Sequence, residues 1–177
     1  FLEGLEKESE GSIATSSFEG TRPLLLEIQA LVVPANVGFA RRTSIGIDNG
    51  RLNMIIAVLE KKAGVSLINH DVYINIVGGI KPEGTSTDLA VALAIYSSYR
   101  GIKIAASKVL VFGEIGLTGE LRPIPHSEKM IKEALRMGFE KILLPEKNYH
   151  KLADAMKSDK IKGIATITKA IEVINIL

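Results

Sequence analysis

The chain has 177 residues, 46% of them hydrophobic, with 22 Lys and Arg against 20 Asp and Glu and a formal net charge of +2. That apolar content suits one compact core, so a single domain over residues 1–177 is expected. The small net charge excludes nucleic-acid binding through the global field, and the lack of cysteine excludes disulfides and thiolate metal sites.

Residues 1–10 are acidic and lack the basic-then-apolar order of a signal peptide. No apolar run is long enough to span a bilayer, so a cytoplasmic protein with no membrane partner is expected. The sequence does not begin with Met, which reads as a fragment of something longer. Residues 12–18 alternate polar with small or apolar side chains, which predicts an exposed strand. Residues 19–23 predict a turn, 24–33 a strand ended by Pro34, and 34–40 a loop. Residues 41–47 predict another strand, with Arg and Ser outward and Ile inward. Asp48 is placed to cap a helix with Leu52, Ile55, Ile56 and Leu59 on its apolar stripe, closed by Gly64.

Residues 71–77 predict a strand with Val72, Ile74 and Ile76 on one face, and Gly78-Gly79 a turn. Residues 85–99 predict a helix whose centre is apolar all round and therefore deeply buried. A buried strand is expected over 109–112, then a glycine-punctuated region. Next comes a helix capped by Ser127, with Ile131, Ala134, Leu135 and Gly138 as its stripe. Short strands are expected over 141–144 and 161–166, and a last helix over 168–176. This order of strands and helices makes an α+β domain with a mixed sheet and packed helices.

The candidates for chemistry are few. Ser86 falls near a helix start, where free backbone N–H groups can receive an oxyanion. A serine nucleophile still needs a base. His126 precedes the next helix, but a lone histidine in a Pro-rich turn reads as solvated. No P-loop pattern occurs, and Gly113, Gly116 and Gly119 lack the dinucleotide fingerprint. Asp71, Asp88 and Glu114 are isolated carboxylates, better read as caps or ion pairs than as metal ligands. The three histidines lack ligand spacing, so no metal is expected. Candidate phosphate contacts are Arg41, Arg42, Arg51 and Lys62, which would bind without sequence preference. Strand alternation sets Arg41 and Arg42 on opposite faces. Arg51 and Lys62 lie about three helical turns apart at similar azimuth.

Two blocks, VGGIKPEGTSTDLAVALAIYS from Val77 and SKVLVFGEIGLTGELRPIPHSEKMIKEALRMGF from Ser107, resemble the proteolytic domain of Lon proteases. In that family a serine follows a turn and a lysine lies on the helix after GEI.L.G...PI. Ser86 falls on the serine position. Anchored on Gly113-Glu114-Ile115, the lysine position is Met130, which cannot accept a proton. Lys129 is next door, but adjacent helical residues are about 100° apart, so it is a doubtful base. Lys132 is no better placed.

Five ordered segments give a closer resemblance: EGTRPLLLEIQALV from Glu19, ARRTSIGIDNGRLNMIIAVLEKKAG from Ala40, DVYINIVGG from Asp71, DLAVALAIYSS from Asp88 and FGEIGLTGELRPI from Phe112. They are similar to the C-terminal Lon-like domain of the RadA (Sms) family of bacterial DNA repair proteins. Members of that family usually carry alanines at Ser86 and Thr87 and a basic residue at Met130. The resemblance implies a Lon protease-like fold and a noncatalytic scaffold that helps build a hexameric ring and contacts single-stranded or branched DNA. It also implies an ATP-dependent recombination protein acting in branch migration. A zinc finger and a RecA-like ATPase would lie upstream and hold Zn, ATP and Mg, with no cofactor in this stretch. The competing expectation is an active Lon-like serine peptidase domain using Ser86.

Overall fold

A computed structural model describes residues 8–36, 38–77, 81–82 and 84–177. The expected turn at Gly78-Gly79 lies outside the described residues, as do residues 1–7.

The chain begins with a short strand, β1 (Ser9–Glu10), and then a hairpin, β2 (Ser12–Glu19) and β3 (Arg22–Pro34). Gly20 and Thr21 make the turn, so Pro23 falls inside β3, opposite Phe18. The edge strand β4 (Arg42–Ile45) leads into α1 (Asn49–Lys62). Asp48 caps that helix by accepting from the Arg51 N–H at 3.0 Å. Next come β5 (His70–Val77), the central helix α2 (Asp88–Arg100), β6 (Lys103–Ile104) and β7 (Val109–Val111). β8 (Glu114–Ile115) and β9 (Leu121–Arg122) form a small hairpin within the glycine-punctuated region. The chain ends with α3 (Ser127–Arg136), β10 (Lys141–Pro145), α4 (Glu146–His150), β11 (Ile161–Ile164) and α5 (Ile167–Asn175).

Seven strands form one mixed sheet in the order β11-β10-β7-β2-β3-β5-β4. The β2–β3 and β3–β5 pairs are antiparallel, and the other neighbouring pairs are parallel. This is the expected α+β class with a mixed sheet. One face buries Ile13, Leu26, Ile28, Ile74, Val111 and Leu143 against α1, α2 and α5. Helix α2 touches β3, α1 and α5, which is why it is apolar on every side. The opposite face is covered only over part of its width. There Ala14, Leu110, Phe112, Ile142 and Leu144 pack on Met130, Ile131 and Ala134 of α3.

The uneven cover corrects three expectations. Residues 12–18 form a strand as expected, but not an exposed one: Ser12 to Ser17 are all buried. Small hydroxyl side chains fit there because the sheet is covered on both sides. In β4 the alternation runs the other way: Arg42 and Ser44 are half-buried, while Ile45 is 63% exposed. Ile45 lies on the half of the sheet that no helix of the described chain covers. On α3, Ile131 and Ala134 are buried as expected together with Ser127 and Met130, but Leu135 is exposed, as is Gly138 just past the helix end.

Two helix starts also differ. The N-cap of α3 is His126, in the left-handed region at φ 62°, and Ser127 is the first helical residue. Helix α2 begins at Asp88, so Ser86 stands two residues before it.

Candidate functional site at the start of the central helix

The turn into α2 is laced to the strand end at Gly113. The Gly113 N–H donates to the Ser86 carbonyl at 2.8 Å, and the Gly113 carbonyl accepts from the Leu89 N–H at 3.0 Å. Gly113 has φ 152°, and a Cβ there would lie 2.9 Å from the Pro145 ring. Only glycine lets the two backbones approach this closely.

Ser86 is half-buried, and its hydroxyl donates to the Ser16 carbonyl at 3.3 Å. The neighbouring donors are used: the Asp88 N–H goes to the Thr85 carbonyl at 3.1 Å, and the Leu89 N–H goes to Gly113. The oxyanion pocket expected there therefore lacks two of its donors. Met130, at the lysine position, is fully buried among Ala14, Leu110 and Phe112. It packs over β2 and β7, while Ser86 touches β2 at Ser16 and the segment just past β7 at Gly113. Lys129 and Lys132 are exposed on the outer side of α3. His126 is exposed and its ring lies 5.0 Å from that of Phe18.

The charged centre of the region is Asp88, 2% exposed in the first turn of α2. It accepts from the Arg51 Nε at 3.0 Å, from the Arg51 Nη2, and from the Ile115 N–H at 3.0 Å. The Arg51 Nη2 also donates to the Ile115 carbonyl at 3.1 Å. Burial raises the Asp88 carboxyl above its ordinary range, against the opposing pull of Arg51 and the Ile115 N–H. The hydrogen bond to Asp88 raises Arg51 in turn. Glu114 extends the network: it accepts from the Thr85 hydroxyl and lies 3.7 Å from Arg122. A cavity of about 580 Å³ opens beside the pair, lined by Asp48, Lys81 and Thr87 among others.

The four expected phosphate contacts differ in how far their heads are engaged. The Arg51 head is committed to Asp88 and Ile115. Arg42 donates to the carbonyls of Leu67, at 2.8 Å, and His70. Arg41 is exposed and tied through its backbone: its N–H donates to Asp71 at 2.7 Å, and its carbonyl accepts from the Val72 N–H at 2.8 Å and the Arg42 Nη1 at 3.4 Å. Lys62 is exposed at the end of α1. Sequence reasoning read Asp88 as a cap or ion pair, which the structure bears out, but missed that its partner is Arg51. A signal existed, because a carboxylate opening a fully apolar helix must find a partner. The partner, 37 residues away, could not be named from sequence. No group of three or more His, Cys, Asp or Glu among the described residues could hold a metal ion.

The fold and site together define a mixed α+β domain whose serine turn is tied to the neighbouring strands. A family model described as "Subunit ChlI of Mg-chelatase" matches residues 37–148. Curated relatives named "DNA repair protein RadA" match nearly the whole chain. They are 38% identical over 173 residues in Halalkalibacterium halodurans, 39% over 171 in Bacillus subtilis and 41% over 172 in Listeria monocytogenes. The matches cover 98%, 97% and 97% of this chain but 37% of each relative. The chain belongs to the family that this model describes, and it corresponds to a fragment of a RadA protein. It spans a little over a third of their length.

Proposed function

We propose that this chain is one Lon-like domain, residues 1–177, that serves as a noncatalytic scaffold in a RadA-like, ATP-dependent DNA repair and recombination protein. In this reading it supports a ring-shaped homo-oligomer, a hexamer, and contacts single-stranded or branched DNA during branch migration in the cytoplasm. The observation that carries the noncatalytic role is Met130. A side chain with no proton-accepting group fills the lysine position and is fully buried. The tied Ser86 hydroxyl supports the same reading. The chain has no P-loop, and its described residues offer no metal cluster. ATP, Mg and Zn would then be held by the zinc finger and RecA-like ATPase of the longer protein.

Arg41 and Lys62 carry the DNA contact in this proposal, because their heads are exposed. Arg42 and Arg51 would have to leave carbonyl and carboxylate partners first. The test uses the full-length protein with Arg41→Glu and Lys62→Glu together, against labelled single-stranded and forked DNA at two salt concentrations. Affinity should drop alike for all sequences. The salt slope should become shallower by about 0.7–0.9 for each lost phosphate contact. Unchanged binding would remove DNA contact from the proposal and leave assembly alone. In parallel, casein and fluorogenic peptides should show no turnover above a Ser86→Ala control. Serine-dependent cleavage would establish the peptidase reading instead.

A further inference from the structure

Helix α3 begins without a side-chain cap, since His126 makes no side-chain hydrogen bond to the helix. The first bond at this end runs from the Met130 N–H to the His126 carbonyl at 3.3 Å. The N–H groups of Ser127, Glu128 and Lys129 have no acceptor among the described residues. Unpaired N–H groups at a helix start attract negative charge.

A second observation points to the same place. Ser127 is 9% exposed, yet its hydroxyl has no hydrogen-bond partner among the described residues. A nearly buried hydroxyl left unpaired is unfavourable. Ser127 lines a recess of about 410 Å³ between the start of α3 and Lys151, the residue after α4. The hydroxyl and the free N–H groups therefore open on one space. Asn148, 6% exposed, fixes the wall of that space. Its side chain accepts from the Ile124 N–H at 3.0 Å and donates to the Ile124 carbonyl at 2.9 Å, so the loop that leads into α3 is clamped.

The charges at the recess nearly balance. Lys151 is exposed, and its ammonium has no ion-pair partner among the described residues. Glu128 is the acidic lining residue; it is exposed, and its carboxylate accepts none of the free N–H groups. Attraction for an anion thus comes chiefly from directed hydrogen bonds and the helix end, and Glu128 weakens it. Three N–H groups, a hydroxyl and an ammonium suit an oxyanion with several oxygens better than a planar carboxylate with two.

We propose that the start of α3 is a phosphate-binding site. The N–H groups of Ser127, Glu128 and Lys129 and the Ser127 hydroxyl hold the phosphate oxygens, and Lys151 supplies the cation. Two sources offer this group, a free phosphate monoester and the backbone of a DNA strand. The site lies within one copy and uses neither Arg41 nor Lys62, so it stands or falls apart from the DNA and ring readings.

Titration of the chain with inorganic phosphate at constant ionic strength, followed by amide NMR, tests it. The Ser127, Glu128 and Lys129 amide signals should move together and saturate with a millimolar Kd. Ser127→Ala and Lys151→Gln should each weaken binding about threefold or more, and Glu128→Gln should tighten it about twofold. Unchanged signals in the strands show that each variant is folded. Thymidine monophosphate and a short oligothymidine, titrated in parallel, separate the sources. Tighter binding of the monoester assigns the site to a free phosphate, and tighter binding of the oligonucleotide assigns it to a DNA strand. The proposal is overturned if the three amides show no saturable shift up to tens of millimolar inorganic phosphate. A shift that both Ser127→Ala and Lys151→Gln leave unchanged overturns it as well.

Discussion

The two halves of the sheet place similar strands in opposite surroundings. Around β2, β7 and β10 the sheet is covered on both faces, and even serines and a threonine are fully enclosed. Around β3, β5 and β4 one face is open, and isoleucine and leucine side chains meet solvent there. The difference teaches that burial in this molecule follows the helical layer and not the polarity of the strand residue. Thr15 and Ser16 are enclosed with hydroxyls that lack a partner, while Ile45 stands outside.

The largest test of that contrast lies in the closed half. Met130→Ala should cost about 2–5 kcal/mol in denaturant unfolding, because the fully buried side chain leaves a cavity between α3 and the sheet. A loss below about 1 kcal/mol would mean that the layer collapses freely and is not closely packed.

Next is the tie between α1, which backs the open half, and α2. Arg51→Ala leaves Asp88 buried without its cation. Breaking a buried pair costs about 3–5 kcal/mol, and the partial exposure of Arg51 reduces the expectation to about 2–3 kcal/mol. Asp88→Asn, compared with the parent chain across pH, gives a smaller and signed effect. Burial raises Asp88 in the folded state, so the folded chain holds its proton to higher pH than the unfolded chain. The Asp88 contribution is therefore fully present below the ordinary value of 3.8 and is lost as pH rises through the raised one. The stability difference, parent minus variant, should fall with rising pH in that window. A rising difference would show that Arg51 outweighs burial. Smallest of all, Ile45→Thr in the open half should change monomer stability by less than about 0.5 kcal/mol.

The same contrast marks what could be read from the residues. Helix α1 was legible because its buried stripe and its cap at Asp48 are local signals. Helix α2 was legible because residues apolar on every side have only one place to go. Burial in β2 and β4 was not, since alternation gives the two faces of a strand but not which face a distant helix covers. Of the expected α3 stripe, Ile131 and Ala134 are buried, but the expectation has Leu135 in place of Met130, because Leu135 looks more core-like and only packing against Phe112 and Ala14 decides it. At the site, Ser86 and Met130 were read from a motif. The Asp88–Arg51 pair and the binding of the Arg42 head depend on segments brought together by the fold.

The junction between β2 and β7 has a consequence in time. β2 and β3 are aligned over eight residue pairs across a two-residue turn, whereas β2 meets β7 in parallel at the single pair Ala14 and Leu110. Contacts between segments close in sequence form early, and those that close a long loop wait. The β2–β3 hairpin can thus form on its own, while β7, β10 and β11 must arrive as a later block that docks largely through side chains. Native-state hydrogen exchange should accordingly find β7 and β10 opening as one unit with less protection than β2 and β3.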